Sequence, residues 1–408
     1  MNRNLRTAFV STLIILTAAV PAWGAEADAI AISKVIQQRH LPNGTIIDPI
    51  FASASSSEIV SYTRGGDSAT WTGHYLAAEA FRYRVTASPD ALANVWAALR
   101  GLRSLRVVTG TDLLARCLVP TDWRFASSIT HEEAGHGIHN GTVDGRAYQW
   151  VGGTSRDQYT GVFFGLGVAY DMVEDPSVRA FIQTEVTALL NFLLDNNWVV
   201  VMPDRSVSTV FWGRPDQQLS FLQVGRRVNP AQFDAVYADY RAQYALTVIP
   251  PIAFECLDDY GSYFKFNLDE ANLYNLIRLE DTNKNRKRYM KAYKLLRLTL
   301  QDHRNAYFNM IDRGLKDADA ARDAETRGLL EEWLKRPRRD VWVDSRGKYF
   351  PCGSSRACNP IAVVDRVTTD FIWQRNPFDL VGGGAGTIES AGIDYILPYW
   401  MARYYGVL

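Results

Sequence analysis

The chain has 408 residues, with 44 Lys and Arg against 44 Asp and Glu, and 12% of its residues are aromatic. That balance argues against nucleic acid as a partner, because such proteins ordinarily carry a basic excess, and net charge alone gives no reason to expect a polyanion-binding surface. The length fits two average domains or one large one.

The first residues read as an export signal. Arg3 and Arg6 give a positive start, Thr7–Val20 is an apolar run too short for a settled membrane span, and Ala22-Trp23-Gly24 puts small residues where a signal peptidase cuts. Residues 1–24 are expected to be removed, and with no Cys at the junction no lipid anchor is expected. No later stretch is long and apolar enough to cross a bilayer. The expected mature product is therefore soluble, without a membrane span, and periplasmic or secreted. In an exported chain four cysteines lean towards disulfides. Cys352 and Cys358 bracket a short turn and are expected to bridge, which leaves Cys117 and Cys256, in different segments, as the remaining pair.

Residues 25–64 are mixed and polar, with a turn at Pro42-Asn43-Gly44, and read as an irregular N-terminal arm. Residues 65–408 read as one helical domain. Within it, Gly65–Pro89 and Gly153–Pro176 share a plan: an Asp, an aromatic-Thr-Gly triplet (Trp71-Thr72-Gly73 and Tyr159-Thr160-Gly161), a helical run, and a break ending in Ser88-Pro89 or Asp175-Pro176. Thr72–Thr86 carries Leu76, Ala77, Ala80, Phe81 and Val85 on one stripe, and the helix that follows carries Leu92, Val95, Trp96, Leu99 and Leu102. The Ser88 hydroxyl is expected to cap that second helix, with Pro89 in its first turn. In the echo, Thr160–Val173 is apolar nearly all round, as befits a helix surrounded by protein. The next helix has an apolar stripe with Arg179, Gln183, Glu185 and Asp195 on a wet opposite face. Each copy thus reads as a hairpin of one inner and one outer helix.

Gln217–Arg227 followed by Asn229-Pro230 is a third instance. Asp269–Glu280, Asn285–Ile311 (broken near His303), Ala320–Leu334 and Ile393–Tyr405 complete the helical patterns, and Asn197–Met202 and Val341–Phe350 are the best short strands. The expected fold class is all-α: an (α/α)6 toroid of antiparallel helical hairpins with long irregular loops at one rim. This plan, the export signal and the Asp- and Trp-rich loops resemble the six-hairpin glycosidase superfamily, at the level of pattern rather than motif and over most of the mature chain. The resemblance implies inner helices that run parallel, with the active cleft where they begin. Asp67 and Asp157 each stand just before such a helix.

Asp67 and Asp157 are the candidate catalytic pair. Glycoside cleavage needs one carboxyl to protonate the leaving oxygen and a second to act as base or nucleophile, and unlike surroundings can split their pKa values into those roles; helix capping is the plainer alternative. Trp71, Trp150, Tyr159 and Trp212 are candidate sugar-binding rings. His74 is a candidate hydroxyl partner or general acid/base, and Arg156 a candidate fork for a carboxylate. Asp258, Asp259 and Tyr260 fall in a loop before a later inner helix and join the candidate substrate-binding set. His131-Glu132-Glu133-Ala134-Gly135-His136 is not a zinc-protease box, because that motif needs histidines four apart on one helix face. With His139, the segment Thr130–Asn140 reads as a flexible cleft loop rather than a metal site. Gly382–Gly386 lacks the setting of a phosphate loop, and no Gly-x-Ser-x-Gly elbow is present. Neither a metal nor a cofactor is expected.

The leading expectation is an exported carbohydrate-active enzyme, a glycoside hydrolase acting on an oligosaccharide, with uronic-acid-containing ones among the candidates. Its rivals are a polysaccharide lyase using Tyr260 or His74 as base, a non-catalytic helical ring that binds glycan or an envelope partner, and a metalloenzyme built on His131, His136 and His139.

Overall fold

The computed structural model describes residues 23–257, 263–351 and 359–408. The stretch read as an irregular arm is ordered. Helix α1 (Trp23–Val35) runs into a π-helical turn, Ile36–His40, and two strands follow, β1 (Asp48–Phe51) and β2 (Ile59–Thr63). Then come α2 (Ser68–Thr86) and α3 (Pro89–Val107). Ala87 between them takes a left-handed φ of 50°, and Pro89 supplies the preset φ of a first helical position. The Ser88 hydroxyl makes no capping bond, whereas the equivalent Asp175 accepts from the Ser177 and Val178 amides at 2.8 and 3.0 Å. A carboxylate is the stronger acceptor, and only it is engaged.

The next segment holds β3 (Cys117–Pro120), α4 (Ala126–Glu132), β4 (Ile138–Val143) and β5 (Arg146–Val151). So the histidine-rich segment expected as a flexible loop is a short helix, a 3-10 turn at Ala134–His136 and a strand. Helices α5 (Arg156–Met172) and α6 (Pro176–Asp195) follow, then β6 (Val199–Val201), β7 (Val207–Val210), α7 (Pro215–Val228), α8 (Pro230–Tyr244) and α9 (Ile249–Glu255). The remainder is α10 (Phe264–Arg278), α11 (Lys284–Leu300), α12 (Ala306–Leu315), α13 (Ala320–Leu334), β8 (Arg339–Asp344), β9 (Val381–Glu389) and α14 (Ile393–Tyr404).

The all-α class expected from the sequence is incorrect. The fold is mixed α/β, with 57% of the described residues in helices and 13% in strands. Among the described residues there are three antiparallel sheets, with the orders β2-β1-β9-β8, β3-β5-β4 and β6-β7. The strands lie in segments that lead into helices: β1 and β2 before α2, β3 to β5 before α5, β6 and β7 before α7, and β9 before α14. They are short, and β9 (VGGGAGTIE) is mostly glycine and alanine, so alternation of apolar and polar side chains is weak.

Helices α2, α5, α7, α10, α12 and α14 pack each on the next, and α14 packs back on α2. The remaining long helices flank them: α3 on α2, α6 on α5, α8 on α7, α11 on α10, α13 on α12 and α1 on α14. One apolar core runs through this assembly, and a smaller cluster of Ile47, Tyr62, Cys117, Val119, Ala126, Ile129 and Val151 lies beneath the three-stranded sheet. Glu185, expected on a wet helix face, is buried and receives two bonds from Arg106 at 2.7 and 2.9 Å. No disulfide joins Cys117 and Cys256, both buried thiols; Cys352 and Cys358 lie outside the described residues. Among the described residues no helix is long and apolar enough to cross a membrane.

Among the described helices, α2 and α5 make the closest backbone approach. A Cβ on Gly73 would stand 2.0 Å from the Gly161 carbonyl oxygen, one on Gly161 2.6 Å from the Thr70 Cα, and one on Gly165 2.2 Å from the Gly73 oxygen. Thr70 meets Gly161 and Gly73 meets Gly165, so the two helices ascend together. Gly73→Ala or Gly165→Ala should therefore destabilise the protein by about 1–3 kcal/mol or more. Gly328→Ala, in α13 with nothing within 4 Å of the added methyl, should stabilise it by up to about 1 kcal/mol. Chemical denaturation of the three variants measures both.

Candidate active site

Because α2 and α5 ascend in step, the residues at their starts come together. Asp67 stands at the N-cap position of α2, yet its side chain makes no capping bond. Asp157 lies in the first turn of α5, whose N-cap residue is Ser155. The two carboxyls line one cavity of about 470 Å³. Its other walls come from Thr70 and Trp71 of α2, from Tyr263, Phe264, Asn267 and Leu268 around the start of α10, and from the segment Asp370–Asp379 ahead of β9. Two further cavities adjoin it. One, of about 410 Å³, shares Asp67, Trp71, Asp370 and Gln374 and continues past Arg64, Glu133 and His136. The other, of about 350 Å³, shares Asp157, Phe264 and Leu268 and continues past Arg156, Gln217 and Lys265. Together they form one cleft with the acidic pair at its middle.

Three groups hold that pair. Gln158 reaches from α5 to α2: its amide nitrogen donates to Asp67 Oδ1 at 3.3 Å and its amide oxygen accepts from the Thr70 N–H at 3.3 Å. Arg116 bridges the two approaching loops, donating to the Gly66 carbonyl at 2.9 Å, the Gly153 carbonyl at 2.8 Å and the Ser155 hydroxyl at 2.6 Å. Its guanidinium also lies 3.9 Å from Asp67, and the Ser155 hydroxyl donates in turn to Asp157. From the other side, Glu132 accepts from the Arg64 amide at 3.0 Å, and Glu133 accepts from the Gly66 amide at 2.7 Å while contacting His136 Nδ1 at 2.9 Å. The backbone leading into Asp67 is thus clamped by a pair of glutamates.

The Asp67 side chain is 40% exposed, but that face opens into the concave cleft and protein surrounds it. Burial, then the neighbouring negative charge of Asp157, raise its pKa to about 6, against the smaller opposing pulls of Arg116 and the Gln158 amide. Asp379 is also raised, by burial first, with Arg375 pulling the other way. Arg375 bonds Asp370 at 2.9 Å and lies 3.6 Å from Asp379, which fixes the loop wall of the cavity.

Of the other residues singled out from sequence, Trp71 lines the cavity and Arg156 lines its side extension. Arg156 is half-buried, and burial together with nearby Arg214 lowers its pKa. Arg214 itself is tied to Asp216, Glu255 and Asp269. His74 lies beneath the cavity floor, fully buried: Nδ1 faces the Thr70 carbonyl at 2.9 Å, Nε2 faces Asn267, and the rings of Trp71, Phe164 and Trp373 surround it. Burial lowers its pKa to about 4, so it is neutral at neutral pH and supports Trp71 and Asn267 rather than reaching the cleft. Tyr159 is in the core, its hydroxyl accepting from the Leu114 amide and its ring edge-on to Phe211. Trp150 is buried and stacked on His139. Trp212 is exposed, with its indole N–H donating to the Asn197 carbonyl, and it lines none of the three cavities. Asp258, Asp259 and Tyr260 lie outside the described residues. Among the described residues no group of three His, Cys, Asp or Glu side chains is arranged to hold a metal.

No family model, curated protein or solved structure matches the chain. The site therefore rests on its own geometry.

Two opposing substitutions test that geometry. Asp157→Asn removes a neighbouring charge and should lower the Asp67 pKa below about 6, while Arg116→Gln removes a counter-charge and should raise it. Carbon-13 NMR titration of the Asp67 carboxyl reads both. The folded-state pKa lies above the 3.8 of an ordinary Asp, so protonated Asp67 favours folding and its ionisation does not. Relative to Asp67→Asn, the wild type should lose stability as pH rises from about 4 through about 6.

Proposed function

We propose that the protein is a glycoside hydrolase acting on an oligosaccharide, exported by the signal read at its start. The observation that carries the reading is the carboxyl pair in one cavity: Asp67, its pKa raised to about 6 by burial and then by the charge of Asp157, which lines the same space. A proton donor and a carboxylate in the same cleft are the minimum equipment for glycosidic chemistry. The aromatic rings of Trp71, Tyr263 and Phe264 and the amides of Asn267, Gln374 and Asn376 line the same cavity, a surface suited to the apolar faces and hydroxyls of sugar rings. In this reading Asp67 gives its proton to the glycosidic oxygen as the carbon–oxygen bond breaks. Asp157, oriented by the Ser155 hydroxyl, accepts a proton from the attacking water. A substrate running along the cleft would place sugars on both sides of the pair.

A lyase on this site would need a base near the sugar C5 proton. His74 has both ring nitrogens engaged beneath the floor, which favours the hydrolase over that version of the lyase. The resemblance to six-hairpin glycosidases agrees with the reading and remains part of the proposal.

A panel of oligosaccharides with reducing-end detection tests it. The wild type should cleave at least one member, with turnover falling as pH rises through about 6, where Asp67 loses the proton it must give. Asp67→Asn and Asp157→Asn should each lower turnover by at least about 100-fold with no loss of melting temperature. Binding without turnover by the wild type, or full activity in Asp157→Asn, overturns the assignment. An unsaturated, ultraviolet-absorbing product would move it to a lyase.

A further inference from the structure

Away from the cleft, α11 breaks the charge balance of the chain. Seven of its seventeen residues, Lys284–Leu300, are Lys or Arg and none is Asp or Glu, in a protein whose acidic and basic residues are equal in number. Lys284, Lys287, Lys291 and Lys294 are all exposed, and their 3-4-3 spacing puts them on one face of the helix. From first to last this stripe runs about 15 Å. Among the described residues none of the four forms an ion pair. The acids nearest in sequence are occupied: Asp281 pairs with Arg226, and Glu280 with Arg241. The stripe borders a groove of about 370 Å³ whose lining includes Arg286, Lys287, Met290, Lys291 and Lys294 and no carboxylate. Like charges crowded on one helix face repel one another, so the arrangement costs stability unless something negative relieves it.

We infer that this face of α11 is a docking surface for a linear acidic polysaccharide, a chain carrying carboxylates at regular intervals. A row of ammonium groups along a groove complements a row of anionic groups along a polymer. An anionic bilayer fits less well. A helix that beds into a membrane surface needs a free apolar face opposite its charges. The apolar face of α11, with Tyr289, Ala292, Tyr293, Leu296 and Leu300, is buried against the protein. Leu298 is the one large apolar side chain that α11 leaves well exposed. The groove shares no lining residue with the acidic cleft, so docking does not depend on the proposed hydrolase activity.

The test is binding to polygalacturonate, a soluble linear uronan, by affinity electrophoresis and calorimetry. The wild type should bind, and the affinity should fall steeply with added salt. The triple variant Lys287→Glu/Lys291→Glu/Lys294→Glu should bind more weakly by on the order of 100-fold. A control with the same change in net charge elsewhere, Arg100→Glu/Arg124→Glu/Lys335→Glu, should bind like the wild type. Circular dichroism melting verifies that both variants fold. Absence of binding by the wild type, equal loss in the two triple variants, or binding to phosphatidylglycerol vesicles but not to polygalacturonate, each overturns the inference.

Discussion

The close approach of α2 and α5 is the constraint on which the rest depends. Gly73, Gly161 and Gly165 let two backbones touch where any side chain would hold them apart. Helices in such contact have little freedom to slide or tilt, so whatever sits at their starts is fixed relative to its counterpart. That is how two aspartates far apart in sequence come to face each other. Gln158 then reads the alignment directly, bonding one helix start from the other.

Bringing two carboxyls together is unfavourable, and the surroundings show how the cost is carried. Arg116 is fixed by three hydrogen bonds to two loops before it offers any charge to Asp67. It therefore tempers the repulsion without cancelling it, since the remaining distance is 3.9 Å. Glu132 and Glu133 spend their acceptors on backbone amides ahead of α2, so the segment carrying Asp67 cannot relax away from Asp157. Burial first, and this repulsion second, keep Asp67 reluctant to ionise, while backbone hydrogen bonds hold its segment in place.

Much of the helical plan was legible because it is written in local chemistry. Pro at first helical positions, the breaks ending in Ser88-Pro89 and Asp175-Pro176, and the all-round apolar character of α5 each mark an element without reference to the rest of the chain. The pairing of Asp67 with Asp157 was legible too, through the repeated aromatic-Thr-Gly triplet. The sheets were legible only in part: the two stretches read as strands hold β6 and overlap β8, and the other strands were missed. Most strands are only three to six residues long, β9 is rich in glycine, and β1 meets β9 across most of the chain, a pairing no periodicity can announce. The same holds for the walls of the site. Arg116, Glu133, Gln158 and Asp370 follow no spacing rule, and only the repeat could have drawn attention to Gln158, one residue past Asp157. Conversely, Tyr159 and Trp150 looked like sugar platforms because aromatic residues near acids look alike in sequence, whether they face a cleft or a core.

The packing of α14 carries a consequence for how the molecule is made. Tyr395 in that helix bonds the carbonyl of Ala25, 370 residues earlier, and α14 also covers α2. The helix that sets one half of the acidic pair therefore stays uncovered until the far end of the polypeptide has emerged. Non-local closure of this kind slows folding, and a chain that cannot finish early stays threadable. Under the export proposed above, delayed completion keeps the path through a translocation pore open.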